Sequence, residues 1–203
     1  MERRKLLFYG GAFDPPHKGH ERLLEAAVSA VRPDVTLVIP TGVSPHKRRS
    51  STAFWMRFEM CGCVTKCGEN VKVSGIEYTG KKGSHRCYTF ETVKKLKKKY
   101  PGHDLYLLIG SDMLTSFRRW HLYRRIMANC VLVAGCREDD ARKEYLSAAE
   151  ELKKEGGKIM LLSFSPVEVS STRLRAMLKE GEDTSDYISP ETREVIGRKG
   201  LYR

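Results

Sequence analysis

Short, almost wholly apolar runs alternate along this chain with longer stretches whose apolar residues recur every three or four positions. Lys5 to Tyr9, Val35 to Ile39, Val71 to Ile76, Leu105 to Ile109, Cys130 to Ala134 and Lys158 to Phe164 read as strands, several closed by Gly or Pro. Between them, Glu21 to Val31 sets Leu23, Leu24, Ala27, Val28 and Val31 at helical spacing, and Tyr88 to Tyr100 carries a stripe of Phe90, Val93 and Leu96. Phe54 to Thr65, Asp140 to Lys154, Ser171 to Lys179 and Ser189 to Gly197 complete the predicted helices, and Thr89 is a plausible cap for the helix it opens. Strands this short and this apolar suit a parallel sheet buried on both faces. The alternation therefore predicts a single doubly wound α/β domain over residues 1–203, with helices from about residue 171 packed on it. In such sheets ligands bind beyond the carboxyl ends of the strands, so the chemistry should follow each strand.

Composition adds a compartment and a charge. Thirty-seven Lys and Arg face 25 Asp and Glu, a net +12 that favours phosphorylated or polyanionic partners. Lys94, Lys95, Lys97, Lys98 and Lys99 crowd one helix, but no aromatic residues are interleaved as in a nucleic-acid surface, so they read as a solvated face. No segment approaches the roughly 20 apolar residues of a membrane span, and the N-terminal residues lack a signal-peptide pattern. A cytoplasmic protein with no nucleic-acid or membrane partner is expected, and its six cysteines suit a reducing compartment. Cys61, Cys63 and Cys67 have no well-placed fourth ligand, so buried free thiols are expected and no protein-bound metal. The sequence leaves oligomeric state open and is compatible with a homo-oligomer.

The most informative segment follows the first strand: Gly10-Gly11-Ala12-Phe13-Asp14-Pro15-Pro16-His17-Lys18-Gly19-His20. The two glycines let backbone approach a bulky ligand, the prolines stiffen the loop, and Gly19 and His20 open a helix. A helix start offers unpaired N–H groups and partial positive charge, which favour phosphate. His17 and His20, three residues apart, can face one ligand. Near the other end, Ser170, Ser171 and Thr172 open a helix that carries Arg173 and Arg175. Hydroxyls, N–H groups and a guanidinium fork at one helix start form a second anion site.

Together the two segments resemble the G-x-F-D-P-x-H-x-G-H and I-S-S-T-x-[IV]-R motifs of the nucleotidylyltransferase superfamily, whose fold is Rossmann-like. The resemblance implies that His17 and His20 are catalytic and stabilise charge on the phosphates of ATP. It also implies that Gly10, Gly11, Ala12, Phe13, Ser170, Ser171, Thr172 and Arg175 bind ATP, with Arg173 at a variable position. Ala12 stands where the family often has Ser or Thr, which leaves only the backbone N–H as donor there.

Internal segments narrow the acceptor. Lys47 after the second strand, Tyr88-Thr89, Gly110-Ser111-Asp112 and Trp120 resemble the bacterial nicotinate-nucleotide adenylyltransferases, as does Gly200-Leu201-Tyr202. That resemblance implies adenylyl transfer from ATP to nicotinate mononucleotide, giving deamido-NAD and pyrophosphate, with Mg²⁺ accompanying ATP. Physically, Trp120 can stack on a pyridine ring, and the helix start at Tyr88 and Thr89 can bind its carboxylate. Asp112, beside Gly110, can hold a ribose hydroxyl and Lys47 a phosphate. Cys87 replaces a serine common in the family, and a thiol is the weaker donor. The competing readings are an adenylyltransferase acting on phosphopantetheine or nicotinamide mononucleotide and, more distantly, a basic nucleic-acid-binding protein.

Overall fold

The computed structural model describes residues 3–43, 52–80, 86–136, 142–164 and 167–203. Six strands form one parallel sheet: β1 (Arg4–Gly11), β2 (Val35–Pro40), β3 (Val71–Val73), β4 (His103–Gly110), β5 (Cys130–Cys136) and β6 (Lys158–Ser163), in the order β3-β2-β1-β4-β5-β6. The order reverses direction between β1 and β4, which places a crevice above their carboxyl ends. Every predicted strand is present, but β3 stops at Val73. Ser74 N–H still donates to the Val38 carbonyl, and Gly75 follows, so the ladder with β2 ends just past Val73.

The major helices are α1 (Lys18–Val31), α2 (Phe54–Val64), α3 (Thr89–Lys99), α6 (Arg142–Lys154), α7 (Ser171–Glu180) and α8 (Pro190–Lys199). Two five-residue helices, α4 (Ser111–Thr115) and α5 (Tyr123–Met127), follow β4 and were not predicted, since five residues are too few to show a period. Thr89 is not the cap of α3. Tyr88 occupies that position in extended conformation, without a side-chain hydrogen bond, and Thr89 is the first helical residue.

Strand pleating sends alternate residues to opposite faces. On β1, Leu6 and Phe8 join Leu105 and Leu107 of β4 beneath Val93 and Leu96 of α3 and Tyr145 and Leu152 of α6. Leu7 and Tyr9 face the other way, toward Leu23, Leu24 and Ala27 of α1 and Cys61 and Val64 of α2. A third cluster packs Val169, Leu174, Ile188 and Ile196 of the α7–α8 region on Met60 of α2. Through that cluster the last helices return to the crevice. The lysines of α3 lie on its outer face: Lys94 pairs with Glu91, Lys97 donates to Asn129 and Lys95 to the Ile76 carbonyl. Among the described residues, no helix is long and apolar enough to cross a membrane.

Leu108 is wholly buried on a central strand, whereas Leu146 on α6 is 42% exposed. Leu108→Ala is expected to cost about 2–5 kcal/mol in urea unfolding, and Leu146→Ala no more than about 0.5 kcal/mol.

Candidate active site

The loop after β1 turns sharply because Phe13 adopts a left-handed backbone, with φ of 48°. Its ring folds back on Gly11, where a Cβ would lie 3.0 Å from the Phe13 Cζ. Gly11 is thus required by the loop's own packing. Gly10 differs, since a Cβ there would meet nothing within 4 Å, and its edge of the strand is open. Ala12 contributes a carbonyl to the loop's anchorage.

His17 caps α1 in extended conformation, and its N–H donates to Nδ1 of His20 at 3.2 Å. An accepting Nδ1 places the proton of the neutral ring on Nε2, so His20 is fixed as a donor at its far nitrogen. The two imidazole centroids are 3.7 Å apart, and Phe13 packs edge-on to His20 at 5.0 Å. Gly19 keeps this arrangement open. A Cβ on it would approach Nδ1 of His17 to 3.0 Å and the Val167 carbonyl to 3.3 Å. The structure therefore brings together the two predicted histidines and the approach to the second anion segment.

That segment meets the loop directly. Ser171 Oγ donates to the Pro15 carbonyl at 2.9 Å, and Arg175 donates to the Asp14 carbonyl at 2.9 Å and to Thr172 Oγ1 at 3.2 Å. Ser170 caps α7 by accepting from the Arg173 N–H. In the structure, then, the hydroxyls of Ser170 and Ser171 and the guanidinium of Arg175 serve the frame that holds α7 to the loop. Arg173 lies apart, over the ring of Tyr187.

Of the residues expected to meet the acceptor, Gly110 ends β4, and a Cβ there would lie 2.8 Å from Oδ1 of Asp112, whose exposed carboxylate would have to turn aside. The Asp112 carboxylate is exposed, yet its charge helps raise the pKa of Tyr9 at the end of β1, after the larger effect of burial. It therefore sits over the β1–β4 reversal. Trp120 is half-buried, packed against the core and tilted against Phe117 at 5.1 Å. The next residue, His121, stacks at 4.6 Å on Tyr88, which caps α3. Tyr88, Thr89, Trp120 and His121 thus flank one region, and the first N–H groups of α3 open beside it. Arg86 is exposed. Lys47 lies outside the described residues.

Several structural members had no signal in the sequence. Arg57 of α2, only 3% exposed, donates to three carbonyls: Ala12 at 2.7 Å, Thr41 at 2.8 Å and Thr52 at 3.3 Å. Burial lowers its proton affinity, while the Asp14 carboxylate acts in the opposite sense. Glu77 is buried between the β2 loop and α3. It accepts from Thr92 Oγ1 at 2.7 Å and from the Gly42 N–H at 3.4 Å. A Cβ at Gly42 would strike the Glu77 carbonyl at 2.2 Å, so this approach admits only glycine. Cys87 donates its thiol to that same carbonyl and its N–H to Val43. Its side chain therefore serves the frame beneath the acceptor side. The remaining described thiols are free. Burial raises Cys61, and pushes Cys67 and Cys130 up to about 12, so all three stay protonated and unreactive near neutrality. Among the described residues no three His, Cys, Asp or Glu side chains converge as a metal site.

Burial raises the pKa of Glu77 above its ordinary 4.5, with Thr92, Gly42, Lys95 and Arg57 acting against the shift. An acid that holds its proton more tightly when folded contributes stability below its unfolded pKa and loses it as pH rises through the folded value. Glu77→Gln cannot ionise. The stability of the unsubstituted protein relative to Glu77→Gln should therefore decline as pH rises above the ordinary carboxylate value of about 4.5, measured by paired urea titrations.

The cytidylyltransferase-like family profile matches residues 8–177. The probable nicotinate-nucleotide adenylyltransferase of Clostridium tetani is 31% identical over 202 residues, covering 98% of this chain and 100% of that relative. That of Exiguobacterium sibiricum is also 31% identical, covering 98% of both chains. Among solved structures, the Plasmodium falciparum nicotinic acid mononucleotide adenylyltransferase complexed with NaAD shares the fold with a TM-score of 0.78 at 21% identity, over 98% of this chain and 97% of that one. The long loop with its paired imidazoles, the strand order and the end-to-end similarity agree, and the chain belongs to the cytidylyltransferase-like family, among the nicotinate-nucleotide adenylyltransferases.

Proposed function

We propose that this protein transfers the adenylyl group of ATP to nicotinate mononucleotide, forming deamido-NAD and pyrophosphate in NAD biosynthesis. One observation carries the reading: two imidazoles in contact at the start of α1, framed by the opening of α7 and set beside the β1–β4 reversal. A 5′-phosphate oxygen of the acceptor attacks the α-phosphorus of ATP, and the bond to the bridging oxygen breaks on the opposite side. Charge grows on the α-phosphoryl oxygens and on the leaving pyrophosphate. His20, donating from Nε2, and His17 beside it stabilise that charge. The N–H groups at the start of α7, with Ser170, Ser171, Thr172 and Arg175, hold the triphosphate. Gly10, Gly11, Ala12 and Phe13 supply backbone along it, and Lys47 meets a phosphate. No covalent intermediate is needed, since positioning and fixed donors suffice for transfer between phosphates.

Trp120 and Tyr88 bound the pyridine ring, Thr89 and the backbone after Trp120 bind its carboxylate, and Asp112 holds a ribose hydroxyl. Mg²⁺ accompanies ATP and is held mainly by phosphate and water oxygens, which this hard cation prefers and which spare the protein a cage of acidic side chains. Bound there, it neutralises phosphate charge. The protein's own part is to orient the two nucleotides and donate to their oxygens. A reducing cytosol suits Cys61, Cys63, Cys67, Cys87 and Cys130, none of which forms a disulfide among the described residues.

Pyrophosphate release from ATP, measured with nicotinate mononucleotide, nicotinamide mononucleotide and phosphopantetheine in parallel, should show the highest kcat/KM for the first. A higher value for either competitor reassigns the acceptor. His20→Ala should lower kcat by about 10²–10³-fold while changing stability by less than about 1 kcal/mol. Trp120→Ala should raise KM for nicotinate mononucleotide about tenfold and leave KM for ATP unchanged.

A further inference from the structure

The turn after α8 returns to the catalytic loop. Leu201 N–H closes the helix onto the Ile196 carbonyl, and Tyr202 then takes a left-handed backbone, with φ of 63°. Its hydroxyl donates to Oδ1 of Asp14 at 2.7 Å, across 188 residues of sequence. Asp14 is 7% exposed and lies three residues before His17. Its neighbours are fixed from other directions. Arg57 holds the Ala12 carbonyl, Arg175 the Asp14 carbonyl and Ser171 the Pro15 carbonyl. Those three bonds restrain the backbone of the loop, and the Tyr202 bond restrains its acidic side chain. Thr52, whose carbonyl takes Nε of Arg57, hydrogen-bonds to Tyr202 in turn. A phenol and a carboxylate withdrawn from water are a costly way to fill space, and a left-handed non-glycine residue adds to that cost. Apolar packing would do the same filling at less expense, so the polar contact has a directional purpose.

We propose that Tyr202 is a positioning residue for adenylyl transfer: through Asp14 it fixes the loop that presents His17 and His20. The inference rests on the proposed function for its kinetic consequence, and on geometry alone for its structural one. Tyr202 touches neither nucleotide. Its loss leaves the triphosphate contacts in place but lets the loop move by a fraction of an ångström, which affects the transition state more than binding.

Tyr202→Phe, Asp14→Asn, Asp14→Ala and the Tyr202→Phe/Asp14→Ala double variant provide the test, assayed with ATP and nicotinate mononucleotide. Tyr202→Phe should lower kcat about tenfold and hold both KM values within about twofold. The double variant should lose little kcat beyond Asp14→Ala, since the Asp14 bond is already gone there and only the Thr52 contact of the phenol remains to be lost. Asp14→Asn keeps an oxygen to accept the phenol proton and should retain more kcat than Asp14→Ala. Unchanged kcat in Tyr202→Phe, or losses that multiply in the double variant, overturn the proposal. Imidazole ¹⁵N–¹H spectra of the protein without nucleotide give a readout independent of acceptor. Tyr202→Phe should shift the His17 and His20 resonances, and unmoved resonances overturn the proposal even if turnover proves to use another acceptor. A full set of kinetic failures in the unsubstituted protein would instead count against the acceptor assignment, while shifted imidazoles would still support the strut.

Discussion

Three consecutive stretches of the loop after β1 give up a carbonyl to a side chain from far along the chain: Ala12 to Arg57, Asp14 to Arg175 and Pro15 to Ser171. A loop between a strand and a helix has no ladder to satisfy its backbone, and buried carbonyls left without donors cost about 1–3 kcal/mol each. Here those donors come from α2 and α7, so the loop's shape depends on both helices being correctly seated. The seating is apolar. Met60 of α2 meets Leu174 and Ile196, while Cys61 on the next position of α2 faces the sheet. Packing thus sets the donors, the donors set the loop, and the loop sets the two imidazoles.

The same device couples the two halves of the crevice. Arg57 also holds the Thr41 carbonyl, and Glu77 takes the N–H of the next residue, Gly42, while accepting from Thr92 of α3. One short stretch after β2 is therefore gripped on adjacent groups by a buried arginine from α2 and by a buried acid that also bonds α3. Losing either side chain would leave buried backbone groups without a partner, a loss of about 1–3 kcal/mol per group, whereas exposed pairs elsewhere, such as Arg22–Glu25, contribute about 0–1 kcal/mol.

Much of this was legible in the residues. Apolar runs ending in Gly or Pro located the strands, because a strand buried on both faces has little other composition available to it. The pairing of the histidines and the meeting of the Ser-Ser-Thr segment with their loop were legible because both follow from short polar residues and glycine set at helix starts. Arg57 was not. A lone arginine inside a helix has the same local appearance whether solvated or buried, and its three partners lie at Ala12, Thr41 and Thr52, on loops that only the fold assembles. Glu77 and Tyr202 were hidden for the same reason, although resemblance had marked the segment around Tyr202. Gly11 also makes room for Phe13, a packing that no local pattern in the sequence shows.

That last pairing has an evolutionary corollary. The aromatic ring occupies the volume vacated by the missing methyl, and its backbone tolerates the left-handed turn only because the ring is so seated. Change at either position falls on the other: a larger residue at 11 presses on the ring, and a smaller one at 13 opens a void beneath the turn. In lineages descended from this sequence the two sites should exchange residues together or not at all, behaving as one heritable unit.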